Sequence, residues 1–263
     1  SIHGDSNTGR VEHDANGVLV GIEHRFSGGW QVGALGGTGR TDIDLRARAS
    51  SGDVKQRHLG VYGGNQWGGL SLRAGLTRAD QEIDGERYVA FADVDQFLHT
   101  EYDATTTQAF IEGGYAFGRQ AWTLEPYLQV ARVDVDTDEF VEDGGSAALA
   151  GSDAETRATL STVGVRFDVG LGGAQQSASG LHLRGGLGYR HASGDLVAEG
   201  VHAWDGGTAF TVTGAPLAER STVLEAGVAA RFGARSLLEF GYSGQYADEA
   251  RDHGANVRYS LKF

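Results

Sequence analysis

The chain has no Cys, no Met and only two Pro, Pro126 and Pro216, in 263 residues. Without Cys there is no disulfide scaffold, no thiolate metal site and no Cys nucleophile. Two Pro beside 42 Gly argue against a disordered or polyproline linker, in which both would rise together. Basic residues are few: 22 Lys and Arg against 35 Asp and Glu leave a formal charge of −13. Nucleic acid is therefore not expected as a partner, since phosphate neutralisation needs basic surface. No apolar run approaches the ~20 residues of a membrane-spanning helix. The first residue is Ser1, which suggests a processed or excised chain, and no signal peptide is read in it. These absences alone would describe a soluble acidic domain. The periodicity of the sequence says otherwise.

Apolar and polar residues alternate in segments of ~10 residues, the length of a tilted membrane strand. Val18, Val20, Ile22 and Phe26 share one face, and Leu19, Gly21, Glu23 and Arg25 the other. After Ser27–Gly29 a second run starts at Trp30. The pattern recurs around Leu59–Trp67, Leu70–Leu76, Ala109–Phe117, Trp122–Val130, Val163–Val169, Leu181–Tyr189, Leu224–Phe232, Leu238–Tyr246 and Val257–Phe263. Connections near 27–29, 68–69, 118–121 and 233–235 are tight, and 172–180 is a stretched one. Those near 46–53, 85–103, 140–155 and 195–218 are long and polar. Short turns on one side and long loops on the other predict an all-β, up-and-down antiparallel transmembrane β-barrel. Phe26, Trp30, Trp67, Phe117, Trp122 and Phe232 gather at the short-turn end, where an interfacial aromatic girdle belongs. A soluble β-sandwich also alternates, but it needs no charge opposite nearly every apolar stripe.

Those charges predict the pore lining. They are Glu23, Arg25, Arg73, Glu112, Glu125, Arg166, Asp168, Arg184, Arg190, Glu225, Arg231, Glu239, Arg258 and Lys262, six acidic and eight basic. Most of the 35 acids then lie in loops, strand extensions and the N-terminal segment, so the −13 belongs to the rims. Lipid-facing Arg or Lys at midplane would cost ~2–4 kcal/mol each, so the wall charges are expected to face a wet lumen. Interleaved Gly either leaves that lumen room or eases strand coiling. Single-chain barrels use even strand numbers. A first strand in or before Ser1–Gly9, pairing with the last one, would bring the count to about twelve in a single 1–263 domain.

Several stretches resemble the translocator domain of bacterial autotransporters, the type V secretion systems. "GVLVGIEHRFSGGWQVGALGG" (17–37) looks like the family's opening hairpin. "LEPYLQVARV" (124–133) followed by "FVEDGGSAAL" (140–149) is the most specific match, and "STVGVRFD" (161–168) fits the next strand. "DHGANVRY" (252–259) and Phe263 are similar to the signal read by the barrel assembly machinery, which would involve Gly254, Val257, Tyr259, Leu261 and Phe263. The resemblance implies a monomeric outer-membrane barrel that anchors and translocates its own N-terminal passenger, with no enzymatic activity and no cofactor. The family's pore-threading helix has no 3.6-period counterpart before Val11, and no Asn-Asn cleavage site is visible.

Two alternatives stand beside it. One is a free-standing small-solute channel. The other is a rim-active outer-membrane hydrolase using His191 and Ser193, which a strand places on one face, with Asp195 nearby. "DQEID" (80–84) and "HAWD" (202–205) could imitate paired carboxylates and a His–Asp pair, but acids are frequent in all the loops. No Ca²⁺-binding Asp-x-Asp-x-Asp-Gly loop and no phosphate-binding loop occur.

Overall fold

A computed structural model describes residues 12–45, 50–91, 94–119, 121–171, 180–233, 235–248 and 250–263. Each alternating run forms a strand, because period-two patterning gives a pleated backbone one apolar and one polar face. Five strands come before the first long break in pairing: β1 (Glu12–Arg25), β2 (Gln31–Leu45), β3 (Ser50–Trp67), β4 (Leu70–Phe91) and β5 (Val94–Tyr115). The short β6 (Phe117–Arg119) continues β5 beyond Ala116, and β7 (Trp122–Thr137) pairs with both. Then follow β8 (Phe140–Val141), β9 (Leu149–Gly151), β10 (Ala154–Leu171), β11 (Gly180–Gly194), β12 (Glu199–Trp204) and β13 (Phe210–Thr213). The last are β14 (Arg220–Phe232), β15 (Ser236–Tyr246) and β16 (Arg251–Leu261).

One antiparallel sheet runs β1-β2-β3-β4-β5-β7-β10-β11-β14-β15-β16, with each long strand beside its sequence neighbour. The sheet curls until its ends approach. Glu23 and Arg25 of β1 line the same cavity as Arg258 of β16, and His13 Nε2 lies 3.7 Å from Asp252 Oδ1. The last strand is held by β15 from Ser236↔Leu261 to Tyr246↔Arg251. No ladder joins β1 to β16 among the described residues. The strand expected in Ser1–Gly9 lies outside the described residues.

Burial is inverted relative to a water-soluble protein. Among the described residues the buried hydrophobic side chains are nine, six of them Ala. Meanwhile Val20 is 72% exposed, Leu59 65% and Val257 65%, all on the outward face. A sandwich would bury these residues against a second layer, and contiguous exposed apolar surface on this scale needs lipid. At the short-turn end Trp30 packs edge-on against Trp67 at 5.7 Å, and Tyr115 against Phe117 at 4.8 Å.

The long connections are more ordered than their polarity predicts. Residues 85–103 continue the β4–β5 hairpin, which stays in register to Phe91↔Val94. The connections 140–151 and 199–213 make a second sheet, β13-β12-β9-β8. Its rings stack in a row: Tyr102 on Phe140 at 5.0 Å, Phe140 on His202 at 5.8 Å, His202 on Phe210 at 6.1 Å. Burial pushes the Tyr102 phenol pKa up. This cap leans on the projecting hairpin. Arg87 donates to both Glu142 oxygens (3.1 and 2.5 Å), the Leu149 N–H donates to the same carboxylate (2.9 Å), and His99 exchanges backbone hydrogen bonds with Asp143. Gly144 sits at φ +106, where a Cβ would collide with the Phe97 carbonyl oxygen. The Glu-Asp-Gly-Gly stretch is thus a clasp on the hairpin.

Candidate functional site

Strand parity aims one residue in two into the barrel, and the predicted charges fall on that parity. Arg73 and Glu112 are direct cross-strand partners, as are Arg166 and Glu125, Arg184 and Asp168, and Glu239 and Arg258. Two adjoining cavities of about 790 and about 760 Å³ lie against these walls and share Arg73, Phe110 and Arg258 in their linings.

The strongest contacts reach past the nearest strand. Arg166 on β10 forks onto Glu112 on β5, its Nη1 and Nη2 donating to the two carboxylate oxygens at 2.7 and 2.8 Å. Arg73 donates to Glu112 at 2.6 Å, and the same guanidinium lies 3.0 Å from Glu125. Gln129 donates to the second Glu112 oxygen at 3.1 Å, and Ser71 to Glu125 at 2.6 Å. Glu112, only 3% exposed, is the hub of the network. Taking a carboxylate out of water is tolerable only with such saturation. The Arg166 guanidinium also lies 3.7 Å from the centre of the Tyr127 ring, a cation–π contact.

Two Gly positions explain that reach. The Tyr127 ring lies where a Cβ on Gly164 would be, 2.8 Å away, and a Glu125 carboxylate oxygen 2.5 Å from one on Gly114. Lumen glycines here admit neighbouring side chains across the strand, so their space is occupied by the network.

A second group lies further round the wall. Asp168 accepts from Arg184 at 2.8 Å and lies 2.7 Å from His182 Nδ1. Arg184 also pairs with Glu239, which is 3.9 Å from Arg258. Glu225 stands 3.6 Å from Arg166 Nε. Glu23 accepts from Gln31 and Tyr62, and Arg190 donates to Thr162 and Gln245. Arg25, Arg231 and Lys262 sit exposed at the short-turn mouth, without a side-chain ion pair among the described residues. His182, Gln129 and Tyr127 joined the network unannounced; their lumen parity was the available signal. Gly254, Val257, Tyr259 and Leu261 lie along β16, and Phe263 follows it, 95% exposed.

The structure does not assemble the alternative chemistry. His191 is 3.8 Å from Glu219, Ser193 Oγ donates to the Thr159 carbonyl at 3.5 Å, and Asp195 accepts from the Arg157 N–H. Nucleophile, base and acid thus each turn to a different partner. Asp80 and Asp84 pair with Arg78 and Lys55, and His202 sits in the aromatic row. Asp84, His99 and Glu101 bring ligand atoms within 4.8 Å of one another, but Lys55 already engages Asp84.

A family model described as the autotransporter β-domain matches residues 1–243. Two proteins of Serratia marcescens, each named extracellular serine protease, are 32% and 30% identical over 261 residues, 99% of this chain. The chain spans 25% of the length of these curated relatives. Among solved structures, the translocator domain of the autotransporter NalP from Neisseria meningitidis has a TM-score of 0.79 at 16% identity, covering 96% of this chain and 82% of that one. The β-domain of the Bordetella autotransporter BrkA has a TM-score of 0.70 at 20% identity, covering 96% and 92%.

Proposed function

The chain belongs to the autotransporter β-domain family, an outer-membrane β-barrel that anchors and translocates an N-terminal passenger, and we propose that its charged lumen is the passage the passenger takes. The observation that carries this reading is the saturation of Glu112 by Arg73, Arg166 and Gln129. A conduit for arbitrary polypeptide must be wet without being adhesive. Charges that already satisfy one another offer hydrogen bonds to a passing chain without trapping its side chains. Room is adequate: a helix about 10 Å across fills about 120 Å³ per residue, so each cavity of about 790 or 760 Å³ holds roughly six residues.

Residues 1–263 act as a single monomeric unit, and the alternating end of β16 with Phe263 is the segment the barrel assembly machinery reads. The chain itself carries transport and no reaction. The protease of the Serratia names is theirs, and it makes a serine protease the first passenger to look for here.

The absence of Cys from these 263 residues lets the barrel positions be probed one at a time. Ser243 lines the cavity, and Val257 faces outward at 65% exposure. In the full precursor, with one Cys placed in the passenger segment next to the barrel, Ser243→Cys should form a disulfide during transit and Val257→Cys should not. Equal cross-linking at both sites, or at Val257 alone, would refute passage through the lumen.

A further inference from the structure

Not every strand charge points inward. On the outward parity stand Arg40 of β2, Lys55 and Arg57 of β3, Arg78 of β4, Arg132 of β7 and Arg157 of β10, with Arg57, Arg78 and Arg132 immediately beyond the apolar residues of their strands. Registration places them side by side around the wall: Arg40 opposite Lys55, Leu59 opposite Arg78, Arg78 opposite Thr107, Thr107 opposite Asp134, Asp134 opposite Arg157. Three of them, Arg57, Arg78 and Arg132, stand at similar heights. Arg78 follows Leu70 by eight residues, Arg57 precedes Trp67 by ten, and Arg132 follows Trp122 by ten. At ~3.3 Å per residue and ~45° of tilt this is roughly 19–24 Å above the aromatic end, close to the ~25 Å of an outer-membrane apolar band. The cations thus begin where the hydrocarbon ends, on the long-loop side, where an outward Arg costs little.

We propose that this outward belt of Arg and Lys docks the phosphate groups of an anionic phosphorylated glycolipid in the outer leaflet. Complementarity of charge and position carries the argument. Each cation leans on a carboxylate further from the apolar band: Arg78 on Asp80 at 2.9 Å, Arg132 on Asp134 at 2.9 Å, Arg57 on Glu82 at 2.8 Å. A lipid headgroup rising from the membrane therefore meets the cationic tier first. Arg57 is 74% exposed and Arg78 59%, so each guanidinium keeps N–H groups free for a bidentate phosphate contact. Exposed pairs of this kind are weak, which leaves the arginines available to a stronger anion. The carboxylate tier keeps the belt nearly neutral, so recognition requires close phosphate contact and is not simply long-range attraction.

The inference rests on the barrel spanning the outer membrane. Protease protection of the full chain in zwitterionic phosphatidylcholine vesicles tests that separately; failure there would refute membrane insertion, while the lipid comparison in detergent still decides the belt. Native mass spectrometry of the detergent-folded chain would compare retained bis-phosphorylated lipid A with the same lipid dephosphorylated. The wild type should hold the phosphorylated form at least about tenfold better, and Arg57→Gln/Arg78→Gln/Arg132→Gln should fall to the dephosphorylated level. Equal retention of the two lipids by the wild type overturns the proposal without any variant. So does undiminished retention by a folded triple variant, or by Arg57→Gln, Arg78→Gln and Arg132→Gln made singly.

Discussion

The lumen and the outward belt contain the same chemistry, Arg against carboxylate at nearly the same separations, and they do different things with it. Arg166 to Glu112 is 2.7 Å and Arg57 to Glu82 is 2.8 Å. Yet the Glu112 side chain is 4% exposed and that of Glu82 is 49% exposed. The inner pair joins strands two apart and closes a network. The outer pair joins neighbours and ends in solvent. Distance alone does not rank them; the water each carboxylate has given up does.

The comparison would be broken most forcefully at its inner end. Glu112→Gln leaves Arg73 and Arg166 facing each other with their shared counter-charge gone. The expected loss is about 3 kcal/mol, the low end for a broken buried pair, because Arg73 is 45% exposed and reaches water. Urea unfolding in micelles, read by electrophoretic heat-modifiability, would measure it. A midpoint unchanged from wild type would show that the lumen network is ornamental.

An intermediate case lies in the cap. Glu142→Ala removes both Arg87 bonds and the Leu149 N–H acceptor, worth about 1.5–3 kcal/mol locally. Amide exchange at 97–103 and 140–149 should quicken by about tenfold or more, while the barrel strands keep their protection. Unaltered exchange would mean the aromatic row alone holds the sheet. At the small end, Glu82→Gln should lower the stability read from the same urea titration by less than about 0.5 kcal/mol. A loss comparable to that of Glu112→Gln would erase the distinction between the two faces.

Alternation made the eleven long strands and the lumen parity legible, because one face must meet lipid and the other water. It failed where that contrast ends. In Asp80–Gln81–Glu82–Ile83–Asp84 both faces meet water, so strand periodicity fades although the β4–β5 ladder continues. Strands β8 and β9, of two and three residues, are too short for any period to register, and β9 finds its partner β12 some fifty residues away. The link from Glu142 to Arg87 was hidden for the same reason. The one available hint was that Arg87 is the sole Lys or Arg between residues 79 and 118. The sequence places charges in strand extensions, but composition alone does not show which of them face outward; that needs the register of strands continued beyond the membrane.

The projecting β4–β5 hairpin can also be regarded as a beam. From the level of Arg78 to the tip at Phe91 is thirteen residues, about 43 Å at ~3.3 Å each. For a cantilever, deflection under a given sideways load grows as the cube of the free length. The Arg87–Glu142 clasp is a prop that leaves four residues, about 13 Å, overhanging, which lowers tip compliance on the order of tenfold. A load applied at the cell surface therefore passes through β8 and β9 into β7 and β10, and spreads over the wall of the barrel before it can bend the hairpin.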